Sequence, residues 1–147
     1  MAPHVQGAVG GGRFLTQAIG SDGVFTREDL SEEQRLFGRT AAEFMRQEVL
    51  PREQQLYAHD WVLTRELVQK AAALDLARLE VPAAYGGLGL DLISAAYVGE
   101  QLSVSPSFAG SLGAHATIGT LPIVYFGTDE QKARYLPRLA SAELIGA

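Results

Sequence analysis

Phe126-Gly127-Thr128-Asp129-Glu130-Gln131-Lys132-Ala133-Arg134-Tyr135-Leu136-Pro137-Arg138-Leu139-Ala140-Ser141 reads as one helix with its start written into it. Thr128 and Gln131 have the capping-box spacing, Asp129 and Glu130 place negative charge in the first turn, and Lys132, Arg134 and Arg138 follow toward the end, where cations suit the helix dipole. The apolar run Ala142 to Ala147 then continues to the last residue of the chain.

Upstream, the same grammar repeats. Ser31 and Gln34 form a second capping box, followed by Leu36, Phe37, Thr40, Ala41, Phe44 and Val49 at three-four spacing, with Glu48 as a polar exception. This predicts a helix to about Leu50, ended or kinked by Pro51. Thr64 is read as the cap of a third segment carrying Leu67, Val68, Ala71 and Ala72. Pro82 and the glycines at 86, 87 and 89 break the pattern and predict a loop of unusual backbone geometry, after which Asp91 caps a helix to about Ser103. Pro106 opens a nearly uncharged helix through Gly119, Pro122 a short one through Phe126, and Gly127 closes it as a C-cap. No strand is predicted, so the expected fold is all-α, a helical bundle of five or six helices.

The glycine-rich stretch 1–23 is expected to be a flexible N-terminal arm with a brief apolar island at Phe14 to Ile19, and 24–147 the helical domain. Its Gly7 to Gly12 run has neither the spacing of a dinucleotide fingerprint nor the lysine of a P-loop. A net charge of −5 over 147 residues argues against a nucleic-acid partner, and the absence of cysteine excludes disulfides and thiolate chemistry. No apolar run reaches the ~18 residues of a membrane span. A cytoplasmic location is expected.

No catalytic set and no metal site stand out. His4, His59 and His115 are scattered, and His115 is read as a packed, hydrogen-bonded side chain. The sharper feature is the pair Gly110 and Gly113, each costing the helix ~1 kcal/mol against alanine. Two readings stay open: close helix-helix packing, or a helix hollowed on one face so that a long apolar ligand can lie against it.

The motifs also carry a resemblance. Val81-Pro82-Ala83-Ala84-Tyr85-Gly86-Gly87-Leu88-Gly89-Leu90-Asp91 resembles the V-P-E-x-Y-G-G-L-G-L-D loop of acyl-CoA dehydrogenases, and Phe126 to Ser141 resembles their G-T-x-E-Q-K-x-x-Y-L-P-x-L-A-S-G-E element. Phe25 to Leu36, Glu48 to Pro51 and Gly11-Gly12-Arg13-Phe14-Leu15 are similar to the very-long-chain branch of that family. The resemblance implies the N-terminal α-helical domain of an FAD-dependent enzyme that desaturates the α,β bond of acyl-CoA in fatty-acid β-oxidation and passes electrons to an electron-transferring flavoprotein. It implies that the flavin-binding β-domain would follow Ala147, so that most FAD contacts and the glutamate base lie outside this chain, which alone is expected to be inactive and without cofactor. Gly110-Ser111-Leu112-Gly113-Ala114-His115 resembles the family helix lining the deep end of the acyl cavity. Gly110, Ser111, Gly113 and Ala114 are therefore the expected substrate-binding positions, and a preference for long acyl chains is expected. A homo-oligomer is expected. An acyl-CoA oxidase or flavin monooxygenase of the same fold, and a non-catalytic helical binding or assembly module, stay open as alternatives.

Overall fold

The computed structural model describes residues 25–146; the arm read at 1–23 and the terminal Ala147 lie outside the described residues. Residues 25–31 form a unit apart from Glu32–Ala147. In it, the Thr26 N–H donates to the Asp29 carboxylate at 2.8 Å and closes a 3-10 turn at Arg27–Asp29.

The second unit is helical throughout its regular structure. Five helices of eleven or more residues, α1 (Glu32–Phe44), α3 (Trp61–Ala73), α4 (Leu92–Leu102), α5 (Pro106–Ala116) and α7 (Asp129–Ala140), are joined by two short ones, α2 (Glu53–Tyr57) and α6 (Leu121–Phe126). Among the described residues there is no strand, as expected for an all-α bundle. None of these helices is long and apolar enough to cross a membrane.

Two of the N-terminal caps read from the sequence are present. The Ser94 N–H donates to Asp91 at 2.8 Å to open α4. At α7 the Gln131 N–H donates to Thr128 Oγ1 at 3.2 Å while the Thr128 N–H donates back to Gln131 at 2.8 Å. The start of α3 is a correction: Asp60, not Thr64, is the cap, accepting from the Leu63 N–H at 3.0 Å. Thr64 lies within the first turn and its hydroxyl donates to Asp60 O at 2.9 Å. A carboxylate accepts from orphan amides better than a hydroxyl, so the earlier residue claims the helix end.

Pro51 does not end the helical path. The chain passes from α1 through a π-helical segment at Met45–Val49 and a 3-10 turn at Leu50–Arg52 into α2. Proline removes one amide donor, and the changes of helical pitch on either side absorb the lost register. Arg52 Nε donates to Glu48 O at 2.9 Å, giving a carbonyl in the interrupted turn a partner. Glu48, the polar exception in the apolar stripe, pairs with Arg52 at 2.5 Å and Lys70 at 2.7 Å and so ties this turn to α3. Hydrogen bonding from Lys70 is the main cause holding its carboxyl below the usual range.

The loop after α3 folds back on itself. The N–H groups of Leu88, Gly89 and Leu90 donate to the carbonyls of Arg78, Val81 and Leu79 at 3.1, 2.8 and 2.7 Å. Gly86 and Gly89 take positive φ values of 84° and 62°, and a Cβ on Gly87 would collide with the Val81 backbone. Gly127 is the C-cap of α6, as expected, its N–H donating to Ile123 O at 2.9 Å; its backbone is extended, with a ψ of 147°, and glycine is needed there because a Cβ would lie 2.5 Å from Ile123 O.

The main core gathers Ala41, Phe44 and Met45, Leu67, Val68 and Ala71 of α3, Val98 and Leu102 of α4, and Phe108 and Leu112 of α5. Phe108 is fully buried with its ring 5.7 Å from that of Phe44. A second cluster seats Leu136, Leu139 and Ala140 of α7 against Val81. Helix α5 is thus anchored through one face, which leaves its other faces to line cavities.

Candidate functional site: a groove on helix α5

Three of the four expected positions come together. Gly110, Ser111 and Ala114 of α5 line a groove of about 620 Å³, opposite Trp61, Thr64, Arg65 and Val68 of α3, with Leu56, His59 and Ile145–Gly146 completing its walls. Gly113 does not join them. It lines a smaller cavity of about 110 Å³ together with Leu79, Val81, Val98, Gly99 and Leu121. With 3.6 residues per turn, Ala114 lies about 40° to one side of Gly110 and Gly113 about 60° to the other, so the two glycines serve different faces.

Close helix packing does not explain either glycine. A Cβ built at Gly110 or Gly113 would have no heavy atom outside its own helix within 4 Å. At Gly38, by contrast, a Cβ would strike the Tyr97 ring where α1 crosses α4. Helix α5 gives up helix propensity at both positions and keeps free volume beside each. We expect Gly110→Ala to stabilise the chain by ~1 kcal/mol, raising the thermal midpoint by about 4 °C, and Gly113→Ala to do the same. Thermal melts followed by circular dichroism check this; a fall in midpoint would mean that these glycines have a packing role.

The helix ends at Ala116, earlier than the predicted Gly119. Two threonines account for the stop: Thr117 Oγ1 donates to Gly113 O at 2.7 Å, and Thr120 Oγ1 donates to His115 O at 2.7 Å. Both hydroxyls satisfy carbonyls of the last turn, so the chain turns without leaving acceptors bare.

The groove wall is chiefly apolar, and three of its polar side chains are tied to backbone carbonyls. Ser111 Oγ donates to Ser107 O at 3.1 Å, the Thr64 hydroxyl to Asp60 O, and Arg65 to Glu143 O at 3.5 Å. This donor set does not fit FAD, which needs several converging donors for its pyrophosphate and ring. At the rim the rings of His59 and Trp61 stack at 5.4 Å with 12° between planes. His59 is held at a φ of 61°.

The α3 contribution is not among the expected positions. Trp61, Thr64, Arg65 and Val68 follow i, i+3, i+4, i+7 spacing, the signal of one helix face, and reading Thr64 as the cap hides it. Leu56 and Ile145 give no such local signal.

His115 is a packed histidine. It is fully buried, with Nε2 3.1 Å from Leu139 O and Nδ1 3.2 Å from the Gly146 N–H. Burial pushes its pKa down, opposed by the hydrogen bond to Leu139. The unfolded chain, with an ordinary histidine near ~6.5, binds this proton more readily than the folded one. The stability held by neutral His115 is thus present above about pH 6.5 and lost as pH falls toward the lower folded value. Melting temperature is expected to decline from pH 6.5 downward, and less so in His115→Gln. Glu80, whose pKa burial raises, acts in the opposite direction at lower pH.

Comparison with known proteins agrees with this architecture. The family model for the acyl-CoA dehydrogenase N-terminal domain matches residues 31–143. The chain is 44% identical over 137 residues to a probable acyl-CoA dehydrogenase of Bacillus subtilis (strain 168), covering 93% of this chain and 23% of that protein. It is 34% identical over 120 residues to the mitochondrial isovaleryl-CoA dehydrogenase of Bos taurus, covering 80% and 28%. Among solved structures, an acyl-CoA dehydrogenase complexed with FAD from Bacillus anthracis is similar with a TM-score of 0.87 and 43% identity, over 92% of this chain and 24% of that one. The chain spans about a quarter of the length of these relatives.

Proposed function

The chain belongs to the acyl-CoA dehydrogenase family as its N-terminal domain, and from that premise we propose that it forms the acyl-chain wall of an FAD-dependent dehydrogenase that desaturates long-chain acyl-CoA in β-oxidation. The observation that carries this reading is the groove of about 620 Å³ along Gly110, Ser111 and Ala114, open because Gly110 has no side chain and nothing else fills its place. Each methylene moved from water into such a groove contributes ~0.8 kcal/mol, so an open wall favours long tails over short ones. This agrees with the very-long-chain branch that the motifs resemble. Gly113, on the adjoining face, is proposed to widen the neighbouring cavity and so let α5 adjust around a tail.

FAD and the proton-abstracting glutamate are proposed to come from domains other than this one, in keeping with the Ser111 hydroxyl and the Arg65 guanidinium of the groove being turned to backbone carbonyls. The reduced flavin is proposed to deliver its electrons to an electron-transferring flavoprotein, as the family resemblance implies. The domain by itself is then inactive. A cytoplasmic setting suits a chain without cysteine. Exposed Val62, Tyr125 and Phe126, at 81%, 63% and 87%, support docking of further domains or copies. The isolated chain is expected to self-associate, and a strictly monomeric sedimentation profile at high concentration would count against that. The acyl reading is tested by comparing palmitoyl-CoA with butyryl-CoA as substrates of the flavoprotein that carries this domain.

A further inference from the structure

The segment after α7 reaches the groove through one side chain. Ile145 and Gly146 line the same groove as Gly110, Ser111 and Ala114. Gly146 is held from two sides. Its N–H donates to His115 Nδ1 at 3.2 Å, and its backbone lies so close to Gly119 that a Cβ on either residue would come within 3 Å of the other. The opposite ring nitrogen, Nε2, meets Leu139 O of α7 at 3.1 Å.

The partners fix the tautomer. Leu139 O can only accept, so Nε2 carries the hydrogen; the Gly146 N–H can only donate, so Nδ1 is bare. A single neutral ring therefore spans α5, α7 and the segment beyond α7, while Thr120 Oγ1 donates to the His115 carbonyl at 2.7 Å and fixes the backbone that carries the ring. With both nitrogens engaged and the ring wholly buried, His115 has no atom free for a substrate.

We propose that His115 is a positioning residue for the groove, a neutral imidazole peg that seats Gly146, and Ile145 with it, as a wall of the space that α5 opens. The inference rests on the reading of that groove as an acyl site. It assigns to a residue outside the groove's own lining the task of holding one of its walls.

Two isosteres separate the halves of the peg. His115→Asn keeps an oxygen near the place of Nδ1 and can still accept from Gly146, whereas His115→Gln keeps a donor near the place of Nε2 for Leu139 but none of the acceptor. Gly146 amide exchange in the Gln variant is expected to be about tenfold faster than in the unaltered chain, with the Asn variant within about threefold of it. In the flavoprotein carrying the domain, palmitoyl-CoA efficiency should follow Gly146 protection and not melting temperature. Equal Gly146 exchange in all three chains, or efficiency that tracks melting temperature alone, overturns the proposal. Should either variant fail to fold, nitrogen spectra of the unaltered chain's imidazole decide: a bare Nδ1 and protonated Nε2 support the peg, and the reverse tautomer overturns it. Failure of the acyl reading looks different: palmitoyl-CoA efficiency would then be unmoved by Gly110→Phe, while the Gly146 readout would still depend on His115.

Discussion

Gly110→Phe is expected to lower kcat/KM for palmitoyl-CoA about 100-fold in the flavoprotein that carries this domain, while butyryl-CoA turnover changes little. The argument begins with free volume. No heavy atom outside α5 lies within 4 Å of a Cβ at this position, so a phenyl ring can enter the groove without displacing the fold. The ring would occupy the path of about four methylenes, each worth ~0.8 kcal/mol, and ~3 kcal/mol corresponds to about 100-fold at 1.4 kcal/mol per factor of ten. A short tail never reaches that depth and loses nothing. Folding should be unharmed, since phenylalanine is a better helix former than glycine. Equal losses on both substrates would place the effect in folding or in flavin assembly, and the acyl-wall reading would fail.

Phe108→Ala is expected to have the largest effect on stability. Phe108 is fully buried against Phe44 and is the aromatic anchor on the core side of α5. Large-to-small changes of this kind cost ~3–5 kcal/mol, against ~5–15 kcal/mol of stability for a typical domain. At ~4 kcal/mol the thermal midpoint should fall by roughly 15 °C. The consequence reaches the groove, because the same helix presents Phe108 and Leu112 to the core and Gly110 and Ala114 to the groove. A melt within a few degrees of the unaltered chain would mean that α5 is not anchored as described.

How much of this could be read from residues depends on how local the physics is. The box of Thr128 and Gln131, the cap Asp91 and the opening Pro106 each act within one turn, so α7, α4 and α5 were legible together with the all-α class. The passage through Pro51 was not, because proline states where a helix is disturbed and not whether a π segment and a 3-10 turn will carry it onward. Asp60 and Thr64 both suit a helix start, and the competition between them is settled by the Leu63 amide.

The groove was half legible. Small residues on a charge-poor helix marked α5, yet Gly110 and Gly113 could be told apart only once each face had a neighbour. Leu56 and Ile145 meet around Gly110 from distant parts of the chain, a tertiary fact with no local cue. His115 was read as packed, and the identity of its partners, Leu139 and Gly146, depends on the same long-range closure.

The measurement that bears most directly on the central claim is the ratio of kcat/KM for palmitoyl-CoA to that for butyryl-CoA in the intact flavoprotein. A groove held open at Gly110, Ser111 and Ala114 predicts the higher efficiency with the sixteen-carbon substrate. A higher efficiency with the four-carbon substrate would contradict it.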